Sequence, residues 1–349
     1  MSNRFPTERR ATIRDVAAKA GVSIATVSKY FNKGDYYIAD ATKQRIAEAI
    51  LQLDYEPSAT ARGLVSRRSR AIGVVIASFD NPFYAQLIAG VDDVIGATDF
   101  TMVVASTADD PKAQAEVVQS MRQRQVEGML LASLTSESPE VAKALRSGID
   151  VVLASRVSAD LNVDAFVGDN VGGAMEVVRH LAGHGHRRIA HVAGPQNVTS
   201  FSMRAEGFRR GCDEAGLDAT TATISLVSEA SVDAGEAAAG ALLDSAEPPT
   251  AIFAANDRVA LGVLRAAERR GLGVPGDLAV VGFDNIWVAD MPGVHLSSVD
   301  ADTRDTGRQA ARRLLERIER RWADGGADVL EAEQHTLPAR FIARHTCGC

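Results

Sequence analysis

A first set of candidate residues lies in the stretch from Thr12 to Asn32, TIRDVAAKAGVSIATVSKYFN, beside which positive charge is concentrated, and a local positive field suits the phosphate oxygens of a polyanion. A second set runs from residue 80 to residue 285: Asp80-Asn81-Pro82-Phe83-Tyr84, Ser155-Arg156, Arg204, Phe253 with Asn256-Asp257, and Asp284-Asn285. Amide, guanidinium and carboxylate groups suit a polyhydroxylated ligand, because each hydroxyl both donates and accepts, and aromatic rings stack on the apolar face of a sugar. An Asn or Asp after a strand is usually only a helix cap. The joint reading gains weight because five such sites fall at corresponding ends of repeated units.

Other chemistry is set aside. Gly271-Leu272-Gly273-Val274-Pro275-Gly276 fits GxGxxG by letter, yet it follows a helix and precedes a strand, the reverse of a dinucleotide fingerprint. His180, His184, His186 and His191 are dense, but the first two suit a helix C-terminus on dipole grounds, and no cysteine lies near them at ligand spacing. Cys212 reads as a small helical filler and Cys347-Gly348-Cys349 as a frayed end. No metal, cofactor or catalytic residue is expected. No Ser-His-Asp order, carboxylate pair or P-loop emerges.

The first set needs elements to position it. Thr12 and Asp15 have capping-box spacing, Ile13, Val16, Ala17 and Ala20 follow helical periodicity, and Gly21 suits a left-handed stop. Ser23 then caps a second helix that turns Val27 and Phe31 inward and Ala25, Thr26 and Lys29 outward. Two short helices so joined make a helix-turn-helix. A third helix, with Asp40 as its cap, presents Ile46, Ala49, Ile50 and Leu53 and ends before Pro57. Residues 58–65 are helical in pattern but too short to stand alone, as in a linker that folds on binding.

Charge separates the same regions. Residues 1–70 carry 13 Lys and Arg against 7 Asp and Glu, whereas the remainder carries 25 against 38, so a basic head precedes an acidic body within an overall charge of −7. Local positive field, rather than the total, governs phosphate binding. The N-terminus has no apolar h-region and no run is long enough to span a membrane, which implies a cytoplasmic protein and argues against an exported solute-binding protein.

From Ala71 onward, eight short apolar runs between Ile72 and Gly282 alternate with amphipathic helix-length segments. Such alternation means parallel sheets with helices on both faces, and the strands are too many for one ordinary sheet. The expected class is an all-α head plus an α/β body of two doubly wound parallel-sheet lobes, with ligands at the carboxyl ends of the strands.

The stretch from Thr12 to Asn32, the third helix closing on LDYEPSATARGL, and then GVVI, NPFY, GHRRIAHVAG, the Arg204 segment, FAAND and VVGFDN carry a resemblance to the lactose-repressor (LacI/GalR) family of transcription regulators. The resemblance covers essentially the whole chain. It implies a DNA-binding head at 1–57, a hinge helix at 58–70, and a core at 71–349. That core would be of periplasmic-binding-protein type, with one lobe near 71–169 and 301–334 and the other near 170–300 and 335–349. It implies a homodimer on a palindromic double-stranded operator, with Thr12, Ser23, Ile24, Ala25, Thr26, Ser28, Lys29, Asn32, Tyr55, Ala61 and Leu64 at the DNA. Ile24, Ala25 and Lys29 fall where the family reads bases, and Leu64 falls on its minor-groove wedge. Asn81, Phe83, Tyr84, Ser155, Arg156, Ser200, Arg204, Phe253, Asn256 and Asp284 would bind a small effector, a sugar first of all. Ser155 and Ala301 stand where many sugar-binding members have Asp and Gln, which keeps a less hydroxylated effector or a nucleoside open. No leucine-heptad tail follows residue 330, so a dimer is expected over a tetramer. The alternative is a cytoplasmic sugar-processing enzyme with a regulatory head.

Overall fold

The computed structural model describes residues 11–31, 37–56, 68–134, 138–217, 222–324 and 331–349. The chain divides into two compact units, 1–69 and 70–349.

In the first unit, α1 (Ile13–Ala20), α2 (Ile24–Phe31) and α3 (Asp40–Gln52) enclose Val16, Ala17, Val27, Ile46, Ala49 and Tyr55. The box at α1 is closed on both sides: the Asp15 amide donates to Thr12 Oγ1 at 3.4 Å, and the Thr12 amide donates to Asp15 Oδ2 at 2.8 Å. Gly21 ends the helix at φ +62°, a backbone region that side chains with a Cβ rarely adopt. Ser23 Oγ accepts from the Thr26 amide at 3.0 Å and starts α2. Asp40 is not the cap of α3. It is the first helical residue, Ala39 precedes it without a side-chain cap, and the Asp40 carboxylate pairs with Lys43 Nζ at 3.0 Å.

The second unit has two α/β lobes. In the first lobe, six strands run in the order β11-β5-β4-β3-β1-β2, all parallel. They are β1 (Ala71–Ile76), β2 (Thr101–Ser106), β3 (Gly128–Leu131), β4 (Asp150–Ala154), β5 (Asp164–Gly168) and β11 (Gln334–Leu337). One face is covered by α4 (Pro82–Ile95) and α11 (Thr303–Asp324), the other by α5 (Pro111–Gln123) and α6 (Pro139–Arg146). The pair α4 and α11 touches backbone to backbone, and a Cβ on Gly90 would lie 1.9 Å from the Arg304 carbonyl oxygen.

In the second lobe, β6 (Ile189–Ala193), β7 (Ala222–Leu226), β8 (Ala251–Ala254) and β9 (Ala279–Val281) form a parallel sheet in the order β7-β6-β8-β9. On one side lie α7 (Asn170–Gly183) and α8 (Thr199–Glu214), on the other α9 (Val232–Leu243) and α10 (Asp257–Arg269). An antiparallel pair, β10 (Ser298–Asp300) with β12 (Arg340–Ile342), completes the unit.

Alternation predicts eight strands; the described residues hold twelve. The additional four, β5, β10, β11 and β12, flank the three passages of the chain between lobes, at 168–170, 300–303 and 337–340. The last passage falls just beyond residue 335, because Gln334–Leu337 still pairs with β5. The C-terminus is not frayed. Thr346 Oγ1 donates to the Val280 carbonyl at 2.7 Å, and Cys347 is 1% exposed. No helix among the described residues is long and apolar enough to cross a membrane.

Candidate functional site

On α2 the inner stripe is apolar, with Val27 fully buried, while Ser23, Ile24, Ala25 and Lys29 are exposed and Thr26 and Ser28 half-buried. Helical geometry therefore gathers most of the expected DNA-facing residues on one face. Thr12 spends its hydroxyl and amide on the cap of α1, where the hydroxyl also donates to Asp15 Oδ2 at 2.7 Å. Tyr55 is packed in the core of the head, 8% exposed, its ring 6.0 Å from that of Phe31. Asn32, Ala61 and Leu64 lie outside the described residues.

In the second unit, a cavity of about 390 Å³ opens between the lobes at the carboxyl ends of both sheets. Asn81, Phe83, Tyr84, Ser155, Arg156, Ser200, Arg204, Asn256 and Asp284 all line it. Phe253 does not. Strand alternation turns its ring toward α7 and α8, where it is fully buried and stacks on His191 at 4.5 Å. Of the two residues expected at the end of β8, Asn256 meets the cavity and Phe253 does not.

Two guanidinium groups organise the walls. Arg204 donates from Nε to Asn170 Oδ1 at 2.8 Å, from Nη1 to the Ala255 carbonyl at 2.6 Å and from Nη2 to Asp284 Oδ1 at 2.9 Å. Its plane lies 3.7 Å from the centre of the Phe283 ring. Arg156 donates to Tyr84 Oη at 3.2 Å and to the Ser155 carbonyl at 3.0 Å, with Asp109 Oδ2 3.7 Å away. Arg156 Nε is buried and has no hydrogen-bond partner among the described residues.

Burial sets the electrostatics. It pushes the Asp284 carboxyl above its ordinary range, and the attraction of Arg204 only partly reverses this; for Arg204, burial likewise outweighs Asp284 and holds the guanidinium below its usual value. A buried ion pair whose desolvation exceeds its attraction is weak evidence for stability and stronger evidence for a site. Burial also raises the Tyr84 phenol, which Arg156 partly offsets. Asp257, fully buried, is pushed well above the carboxylate range by burial and then by Asp284; it accepts from Ser298 Oγ at 2.6 Å and the Ile286 amide at 2.7 Å, and so ties α10 to the 284–298 segment.

The amide side chains have divided duties. Asn81 Oδ1 caps α4 through the Phe83 amide at 3.1 Å, and Asn256 Oδ1 caps α10 through the Val259 amide at 3.0 Å. Each thereby turns its amide nitrogen into the group left to donate to a ligand. The cap reading and the site reading are both satisfied by one side chain.

Sequence reasoning missed Asp109, Asn170, Asn197, Glu229 and Arg258, all of which line the cavity. Asp109 and Glu229 follow β2 and β7, so the same strand-end rule could have found them. Asn170 follows β5, whose sequence DAFVG carries no alternation that announces a strand. Cys212 is buried, and burial followed by Asp213 pushes its thiol up to about 11, which suits a filler rather than a nucleophile.

Residues 12–58 match the model for bacterial regulatory proteins of the lacI family, and residues 178–347 match a periplasmic binding protein-like domain. The chain is 32% identical over 314 residues to catabolite control protein A of Priestia megaterium, covering 90% of this chain and 94% of that protein. It is 31% identical over 335 residues to the ribose operon repressor of Halalkalibacterium halodurans, covering 96% of each. The solved complex of the transcriptional regulator CelR with cellobiose superposes with a TM-score of 0.71 at 31% identity, covering 97% of this chain and 100% of that one. A helix-turn-helix head, two parallel-sheet lobes around a polar cavity and relatives of matching length converge: the chain belongs to the LacI family of DNA-binding transcription regulators.

Proposed function

We propose that this protein is a homodimeric repressor whose grip on a palindromic operator is controlled by a sugar held between its lobes. The observation that carries the ligand class is the cavity wall. Arg204, Asp284 and Asn256 from the second lobe and Arg156 and Asn81 from the first offer both donors and acceptors, and Phe83 and Tyr84 add ring faces from the first lobe. That composition answers hydroxyl groups, and about 390 Å³ lies within the range of small-molecule sites. One relative is named for a ribose operon and one structural neighbour holds cellobiose, which supports the same class. Ser155 and Ala301 both line the cavity, and their lack of a charged acceptor keeps a less hydroxylated effector or a nucleoside as the alternative ligand.

The mechanism is a linkage. Asn81, Tyr84 and Arg156 come from the first lobe and Asn170, Arg204 and Asp284 from the second, so a ligand that bonds to both favours one lobe arrangement. The difference in operator affinity between arrangements is the signal. At the DNA, Lys29 with Ile24 and Ala25 reads base edges, Ser23, Thr26, Ser28 and Asn32 hold phosphates, and Leu64 in the 58–70 hinge wedges the minor groove. Thr12 fixes the helix that supports them, and Tyr55 and Ala61 are assigned to the DNA on the family resemblance alone. The protein acts in the cytoplasm, binds its ligand without turnover and needs no cofactor.

A thermal-shift screen of the full chain with pentoses, hexoses, disaccharides, polyols and nucleosides tests the ligand class. A sugar should raise the melting temperature with RT ln(1 + [L]/Kd) and be recovered unchanged. Stabilisation by nucleosides alone would reassign the ligand, and turnover would favour the enzyme.

A further inference from the structure

His180 and His184 stand 163 or more residues from the C-terminal cysteines, yet the fold brings the two ends together. The final turn, His345–Cys347, packs under β9 and beside the C-terminal end of α7. As a result a ring nitrogen of His180 and the Sγ atoms of Cys347 and Cys349 all lie within 4.8 Å of one another. The tail is held in this place by backbone and side-chain bonds: the Ser297 amide donates to Thr346 Oγ1 at 2.9 Å, and the Cys347 amide donates to Ser297 Oγ at 3.2 Å.

His180 itself is unusual. Its Nε2 is buried and has no hydrogen-bond partner among the described residues, while the ring is packed between Phe341 at 4.3 Å and His184 at 4.4 Å. A buried ring nitrogen without such a partner calls for an explanation, and a bound ion is one of the few that apply. One imidazole and two sulfurs form a soft donor set, suited to tetrahedral zinc and poorly suited to magnesium or calcium. The fourth position of such a site would be left to water.

We propose that His180, Cys347 and Cys349 form a binding site for a thiophilic divalent cation, with zinc as the matching ion. In the structure the two sulfurs are joined as a disulfide, which is the cation-free form of the site. A phosphine reductant opens it: the S–S bond breaks, the phosphine takes oxygen from one water, and the two hydrogens of that water end on the sulfurs. Cation binding then releases both as protons, because thiolate is the ligand. Bound metal clamps the tail to α7 and, through Ser297, to the segment leading into β10. The site is therefore a redox-gated brace on the second lobe, separate from the cavity.

The test uses the full chain, reduced with a phosphine and then titrated with cobalt and zinc without oxygen. We expect one cobalt per chain with a near-ultraviolet thiolate-to-metal band, displacement by zinc, a higher melting temperature with zinc, and none of these in the oxidised protein. Cys349 is exposed, so Cys349→Ser should fold normally and weaken binding by at least ~100-fold. His180→Gln should do the same. Cobalt uptake without a sulfur band, uptake unchanged in Cys349→Ser, or no stoichiometric uptake by reduced protein would each overturn the site.

Discussion

The head and the cleft solve the problem of placing side chains in opposite ways. In the head, Thr12 bonds to Asp15 and Ser23 to Thr26, three residues apart, and one helix presents the whole outward stripe. In the cleft, Arg156 meets Tyr84 across 72 positions and Arg204 meets Asp284 across 80. A surface built on one helix needs only that helix to form. A cavity built from loop ends needs two sheets, their registers and three passages between lobes. The head should therefore tolerate loss of any single outward side chain, whereas the cleft should respond as a unit.

The sharpest way to break this contrast is Arg204→Ala. It strands Asp284 and Asn170 in a buried wall, so the second unit should lose about 3–5 kcal/mol and the ligand-induced thermal shift should vanish. Operator binding by the unliganded protein should persist. A stable variant that still responds to ligand would show that the wall is not cooperative. Next comes Ile46→Ala, which opens a cavity in the smaller core and should destabilise the head by about 3 kcal/mol. Calorimetry should show the head's transition lowered with that of the body unmoved; a common shift would mean that the units do not melt independently.

A third test uses pH. His191 is fully buried in the second lobe, and burial, opposed in part by the bond of Nδ1 to the Phe253 carbonyl at 2.9 Å, holds its pKa down to about 4. Its folded value lies below the unfolded one near 6.5, so stability is complete above about pH 6.5 and declines as pH falls toward 4. Denaturant unfolding of the second unit at pH 7 and pH 5 should differ by roughly 2 kcal/mol from this group, and His191→Phe should flatten that part of the slope. An equal slope in the variant would assign the acid response elsewhere. The smallest effect is expected for Thr12→Ala, about 1 kcal/mol of head stability through the lost capping box, with base preference unchanged. A changed preference would give Thr12 a direct part in reading DNA.

Legibility follows the same division. The capping box, Gly21, the Ser23 cap and the buried Val27 are all fixed by neighbours within four residues, and each is found where helical periodicity predicts it. Asp40 misled because an acidic residue at a helix start suits both the cap and the first turn. In the body, eight apolar strands were legible from composition, whereas β5, β10, β11 and β12 were not. SVD, RFI and QHTL are short and half polar, and they become strands only because a neighbour offers its edge.

The sequence alone determined the three-helix head, the alternation of strand and helix, the basic-to-acidic division of charge, and the strand ends from which Asn81, Ser155, Arg156, Asn256 and Asp284 reach the cavity. Helix caps, periodicity and charge are local quantities that the order of residues specifies directly. Only the tertiary structure decided that Phe253 turns into the core, that Asn170 and Asp284 share Arg204, that Tyr55 packs inside the head, and that His180 meets two cysteines from the far end of the chain. Those outcomes depend on sheet register and on which faces bury each other, and such long-range choices are set by the packing of whole lobes rather than by any run of neighbouring residues.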